Sequence, residues 1–149
     1  MVSSSKTVLR EAGLRVTRPR VAVLDVLAEH PHAPADLVAQ EVRAMLGKVS
    51  TQAVYDVLAA CVEVGLVRRI EPAGSPALFE TRTGDNHHHL VCRSCGRATD
   101  ADCAVGKSPC LTPNHDAGYA LDEAEVVFWG LCPNCQLNQS PSSDVRSFA

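Results

Sequence analysis

Apolar residues in the first half of the chain recur at intervals of three and four, and the punctuation between the runs is regular. Ser3 to Ala12 reads as a short helical stretch ended by Gly13. Thr17 can cap a second helix whose Val21, Leu24, Leu27 and Ala28 share a face, and Pro31 closes it. A third helix opens near Pro34 with Asp36 in its first turn, turns Val38, Val42, Met45 and Leu46 inward, and stops at Gly47. Ser50 caps a fourth, with Val54, Val57, Leu58, Cys61 and Val62 on one stripe and Gly65 at its end.

The pattern then changes period. Leu66 to Ile70 and Ala77 to Glu80 read as two short strands around a breaker cluster of Pro72, Gly74 and Pro76. Packed helices followed by a hairpin predict a winged helix over residues 1–82; a plain four-helix bundle is the alternative that periodicity alone leaves open. In a winged helix, Thr51, Gln52, Tyr55 and Asp56 lie opposite the apolar stripe of the fourth helix, free to enter a major groove. Gln52 could read a base edge and Tyr55 a phosphate. Further on, His89 to Val91 and Glu125 to Leu131 read as strands, and the Ser-rich stretch 138–149 as a disordered tail.

Composition narrows the class. With 46% apolar and 21% charged residues the chain is globular, and no apolar run is long enough for a membrane span. Met1 to Lys6 lacks the apolar core of a secretory signal, so the expected location is cytoplasmic. The net charge of −3 hides a split: residues 1–82 carry ten Lys/Arg against nine Asp/Glu, and residues 83–149 carry four against eight. Arg10, Arg15, Arg18 and Arg20 cluster near the front, so phosphate contacts are expected there, although a solvated helix end reads the same way.

The most specific signal is cysteine spacing. Of seven cysteines, four form two C-x-x-C pairs, Cys92/Cys95 and Cys132/Cys135. Each pair can fold around a metal as a tight knuckle, and two knuckles supply the four thiolates of a closed, tetrahedral structural zinc site. Such a site has no open position for hydrolysis. A zinc deaminase also combines histidine with a cysteine pair, but its His-x-Glu and Pro-Cys-x-x-Cys elements are missing, so no enzyme is expected. In the run His87-His88-His89, strand alternation points His87 and His89 one way and His88 the other. Imidazole with carboxylate suits iron, zinc, nickel or manganese. An expression tag or solvated loop histidines are the plainer readings.

Taken in order, these residues resemble the ferric uptake regulator (Fur) family of metalloregulators. The likeness runs from about Leu9 to Cys135, through Gly13-Leu14-Arg15-Val16-Thr17-Arg18-Pro19-Arg20, Ala53-Val54-Tyr55, Gly65-Leu66-Val67, the His-x-His-x-x-Cys-x-x-Cys run and the last C-x-x-C. Gly84 to His89, Asp102 to Gly106 and Pro109 to Leu111 are similar, more narrowly, to actinobacterial regulators of catalase genes. The resemblance implies an α+β chain: an N-terminal winged-helix DNA-binding domain (1–82), then a small α/β dimerisation domain holding the zinc (83–137). It also implies a homodimer on a palindromic operator of double-stranded DNA. Carried over, a regulatory Fe(2+) or Mn(2+) site would use His32, Glu80, His87, His89 and Asp100. A further acidic and histidine site known in some relatives is expected to be absent, because Asn86, Lys107 and Ala124 stand in its regions.

The expectation from the resemblance is a metal-dependent repressor that releases DNA under peroxide and controls oxidative-stress genes such as catalase. A sensor of iron, zinc or nickel availability is the alternative within the family, and a zinc-stapled adaptor without DNA lies outside it. Cys103 and Cys110 flank a loop with no clear period and are possible redox thiols.

Overall fold

The computed structural model describes residues 3–139, so residues 140–149 of the expected tail lie outside the described residues. The chain divides into two compact units that part between Asp85 and Asn86. No helix among the described residues is long and apolar enough to cross a membrane.

The first unit runs α1 (Ser5–Glu11), α2 (Arg18–Glu29), β1 (Ala33–Pro34), α3 (Ala35–Leu46), α4 (Thr51–Glu63), β2 (Arg68–Ile70) and β3 (Leu78–Glu80). Helix starts follow from local chemistry. The hydroxyls of Ser4, Thr17 and Ser50 accept from the amides of Thr7, Arg20 and Ala53, satisfying donors that the first turn leaves open. Gly47 and Gly65 follow α3 and α4 with φ of 81° and 75°, a left-handed turn that other residues adopt at a cost. One core joins the elements: Leu9 of α1, Val23 and Leu27 of α2, Val38 and Val42 of α3, Val54, Leu58 and Cys61 of α4, and Phe79 of β3. Each buried Leu or Val contributes about 1.5–3 kcal/mol.

Two details depart from the sequence reading. Met45 is exposed rather than packed, because the buried stripe of α3 runs through Ala35, Val38, Ala39 and Val42 and leaves Met45 at its edge in the last turn. The hairpin also gains a third strand. β1 pairs antiparallel with β3, Ala33 opposite Phe79, giving the order β1-β3-β2.

The second unit is a three-stranded sheet of order β5-β4-β6, built from β4 (His87–Cys92), β5 (Ala98–Asp102) and β6 (Val127–Gly130), with one short helix α5 (Pro133–Leu137). β4 and β5 are antiparallel neighbours joined through Arg93–Arg97, while β6 returns parallel to β4. This unit has almost no apolar core. Among its described residues, only Val91 and Cys92 are buried hydrophobics, against a cluster of sixteen buried apolar side chains in the first unit. The first unit should therefore respond to core truncation by itself. Leu58→Ala is expected to cost about 2–5 kcal/mol, read as a lower urea midpoint with zinc per chain unchanged; zinc lost alongside would show that the units do not fold independently.

Candidate metal centres and DNA-reading surface

The two knuckles meet where β4 ends and α5 begins. Cys92 is the last residue of β4, Cys95 sits in the turn to β5, and Cys132 and Cys135 straddle the start of α5. One sulfur from each lies within 4.8 Å of all the others. Cys95 Sγ and Cys132 Sγ are 3.8 Å apart, which matches the edge of about 3.8 Å expected when four sulfurs surround one zinc at about 2.3 Å.

The electrostatics fit the same ion. The backbone amide of Cys132 donates to Cys92 Sγ at 3.3 Å; this contact, with the Cys95 amide next, brings the Cys92 thiol down to about 6. Cys135 goes the other way, up to about 12: the Ser94 hydroxyl works to lower it, but the Cys132, Cys95 and Cys92 sulfurs and desolvation outweigh it. Four sulfurs this close cannot all ionise unless a cation replaces their protons. The donor set is all sulfur and closed, so it suits structural zinc.

The expected regulatory residues fall into two groups, one in each unit. In the first, pairing of Ala33 with Phe79 sets His32 across from Glu80, and His32 Nε2 lies 2.8 Å from Glu80 Oε2. Glu80 is 1% exposed, a burial that a carboxylate tolerates only with partners. His32 has φ of 64°, a left-handed conformation costing roughly 1–2 kcal/mol in a residue with a Cβ.

In the second, β4 alternates as the sequence predicts: the His87 and His89 rings sit edge to face with centroids 5.0 Å apart. His89 pairs across the ladder with Asp100 of β5. The Nε2 atoms of His87 and His89 are 3.6 and 3.7 Å from the same Asp100 oxygen. That is too long for a hydrogen bond, but near the ~3.0–3.5 Å that separates nitrogen and oxygen ligands of one divalent ion. Sequence reasoning found Asp100 through resemblance alone. Its strand, Ala98-Thr99-Asp100-Ala101-Asp102, has no apolar alternation to announce it.

All three histidines of the run are buried, so His88 is no solvated loop residue. It lies with Cys103 and Cys110, one donor atom of each within 4.8 Å of the other two, and both cysteines are free thiols.

The candidate DNA-reading residues sit at the N-terminal end of α4 and around the start of α2. Thr51, Gln52 and Tyr55 are exposed on the face opposite Val54, Leu58 and Cys61. The Arg43 guanidinium donates to the Val49 carbonyl and the Thr51 hydroxyl, pinning the turn into α4. Gln52 donates to Asp56 at 2.8 Å, which orients its amide along the helix. Arg15 and Arg18 are exposed, whereas Arg20 is half-buried and donates to the Arg15 carbonyl at 2.8 Å. Arg20 thus braces the segment that carries Arg15. The four-cysteine assignment predicts that Cys92→Ser or Cys135→Ser loses one zinc per chain and unfolds the second unit, checked by metal analysis and limited proteolysis; a folded, zinc-free variant would refute it.

Comparison with known proteins agrees with this geometry. The chain matches the ferric uptake regulator family over residues 11–112. It is 58% identical over 135 residues to the transcriptional regulator FurA of Mycobacterium tuberculosis, across 91% of this chain and 92% of that protein. It is 60% identical over 121 residues to ferric uptake regulation protein 1 of Mycolicibacterium fortuitum, across 81% and 75%. Among solved structures, the ferric uptake regulator of Pseudomonas aeruginosa with manganese is 27% identical with a TM-score of 0.63, covering 88% of this chain and 99% of that one. Likeness of this extent, together with the winged helix and the sulfur-only site, shows that the chain belongs to the ferric uptake regulator family of metal-responsive, DNA-binding transcription regulators.

Proposed function

We propose that this regulator is a homodimeric repressor whose regulatory ion is held by His32, Glu80, His87, His89 and Asp100, and whose signal is peroxide. The observation that carries the reading is the donor set on the His87 and His89 face of β4: two buried imidazoles converge on one Asp100 oxygen, with no sulfur among them. Nitrogen and oxygen donors hold ferrous iron or manganese without the tight closure that thiolates impose. Bound there, ferrous iron supplies one-electron reactivity toward peroxide, which manganese on the same ligands does not.

The chain's own residues do the rest. His87 and His89 present their rings, Asp100 accepts the ion's charge, and the short aspartate side chain reaches less far than a glutamate would. Oxidation of an imidazole, at His32 or His89, weakens a ligand that the set cannot replace, and metal-dependent DNA binding is lost with it. Arg15, Arg18 and Tyr55 contact phosphates while Thr51 and Gln52 face base edges, with Arg20 holding Arg15 in place. Fur-family regulators bind DNA as dimers. For this chain a dimer through the second unit is supported by exposed apolar surface: seven of the ten exposed large hydrophobics among the described residues lie there.

A second reading, response to iron availability, is favoured by the name of the Mycolicibacterium fortuitum relative, which refers to ferric uptake. One experiment separates them. With iron loaded, peroxide is expected to release operator DNA and add the mass of one oxygen atom to a peptide containing His32 or His89, while the manganese-loaded protein keeps its DNA. Equal release from the manganese form, with Cys103 joined to Cys110 and no oxidised histidine, would assign sensing to the thiols; insensitivity of both forms would leave iron availability as the signal. Arg15→Ala and Tyr55→Phe are expected to weaken DNA binding by several-fold in a binding titration and to leave metal content intact. A fall in metal content would make those residues structural instead.

A further inference from the structure

β4 carries a second donor set on its other face. Strand alternation that turns His87 and His89 one way turns His88 the other, and His88 is 6% exposed. In the antiparallel register His88 pairs with Ala101, so Cys103, two residues on, emerges on the same face just past the end of β5. The chain then loops back: Cys110 Sγ comes to 3.1 Å from His88 Nε2, and the Asn86 side chain donates to the Lys107 carbonyl at 3.0 Å, tying the loop to the head of the strand. One donor atom each from His88, Cys103 and Cys110 lies within 4.8 Å of the other two.

The turn after Cys103 is built like a zinc knuckle. In the four-cysteine site, backbone amides of the following residues, Ser94 and Cys95, point at Cys92 Sγ, and a left-handed Gly96 closes the turn. In Cys103-Ala104-Val105-Gly106, the amides of Gly106 and Val105 point at Cys103 Sγ, and Gly106 has φ of 77°. These amides, Gly106 first, hold the Cys103 thiol below its ordinary value. A knuckle needs only one cysteine per turn when the other donors come from elsewhere.

We infer that His88, Cys103 and Cys110 form a second thiolate metal site, a Cys2His set for zinc or another thiophilic cation, with its fourth position open to water or an added ligand. It is separate from the proposed regulatory set, and its donors are mainly sulfur rather than carboxylate. The site fastens an irregular segment, residues 103–126, to the central strand of a unit with almost no apolar core.

The test is cobalt titration of the full chain, reduced and holding its four-cysteine zinc. One equivalent of cobalt is expected to bind with a thiolate-to-cobalt charge-transfer band, a signature that the nitrogen and oxygen ligands of the regulatory set cannot give. Cys103→Ser and Cys110→Ser should each remove that band while zinc at the other site, measured in the same sample, stays at one per chain. Absence of the band in the wild-type chain, or its persistence in both variants, overturns the assignment. Should the variants fail to fold, wild-type protein still decides: bound zinc is expected to shield Cys103 and Cys110 from alkylation, and chelation to expose them. Labelling of both with zinc present, or a Cys103–Cys110 disulfide in the reduced, zinc-loaded chain, refutes the site.

Discussion

Metal–sulfur coordination does in the second unit what hydrophobic burial does in the first. The first unit closes around sixteen buried apolar side chains contributed by α1 to α4, β1, β3 and the segment leading into β2. The second buries Val91 and Cys92, and its sheet has only three strands. Two buried apolar side chains are far too few to hold a unit of this size by burial alone. A closed four-thiolate zinc site adds its binding energy directly to folding, because no preformed site exists in the unfolded chain. The four-cysteine site is placed accordingly, tying the end of β4 to the start of α5 across 40 residues of sequence. Zinc alone still leaves the unit short of a conventional core. Its exposed apolar side chains are the surface on which the proposed dimer rests.

β4 organises the remaining chemistry through strand alternation. Its odd-numbered histidines share one face with Asp100, set opposite His89 by the ladder to β5. Its even-numbered histidine faces Cys103 and Cys110. Adjacent residues on one strand therefore serve different donor classes, and neither face is spare: the strand is buried at five of its six positions. A slip of one residue in the β4–β5 register would exchange the partners of every histidine. Two bonds across the turn between the strands oppose that slip, the Cys92 amide on the Arg97 carbonyl and the Gly96 amide on the Cys92 carbonyl.

Helices and knuckles were legible in the sequence because each has a local cause. Thr17 and Ser50 cap where a hydroxyl precedes an apolar run, and C-x-x-C spacing is a short-range signature. What was not legible depends on pairing between distant segments. β1 is two residues long, one of them proline, and exists only because β3 accepts it; without it His32 has no reason to face Glu80. β5 carries Asp100 and Asp102 with small residues between, so no hydrophobic period marks it as a strand. Met45 matched the helical period but fell at the margin of a stripe whose centre only tertiary packing defines. The His88, Cys103 and Cys110 grouping was hidden for the same reason: the cysteines read as flanks of a loop, and only the fold returns Cys110 to the strand.

His32 shows how local strain and chemistry coincide. It is one of two residues other than glycine with positive φ among those described, and it stands between Pro31 and the two-residue strand β1. Glycine would adopt that conformation without the roughly 1–2 kcal/mol that a Cβ adds, and would pair equally well through its backbone. What glycine lacks is an imidazole 2.8 Å from a carboxylate that is itself 1% exposed. The strained backbone aims the ring at Glu80 and gives the buried carboxylate the polar partner that its burial requires. Strain kept at such a position is the mark of a residue retained for its side chain rather than its backbone. The turn of the four-cysteine site needs no such strain, because it closes on Gly96, whose φ of 74° carries no Cβ penalty.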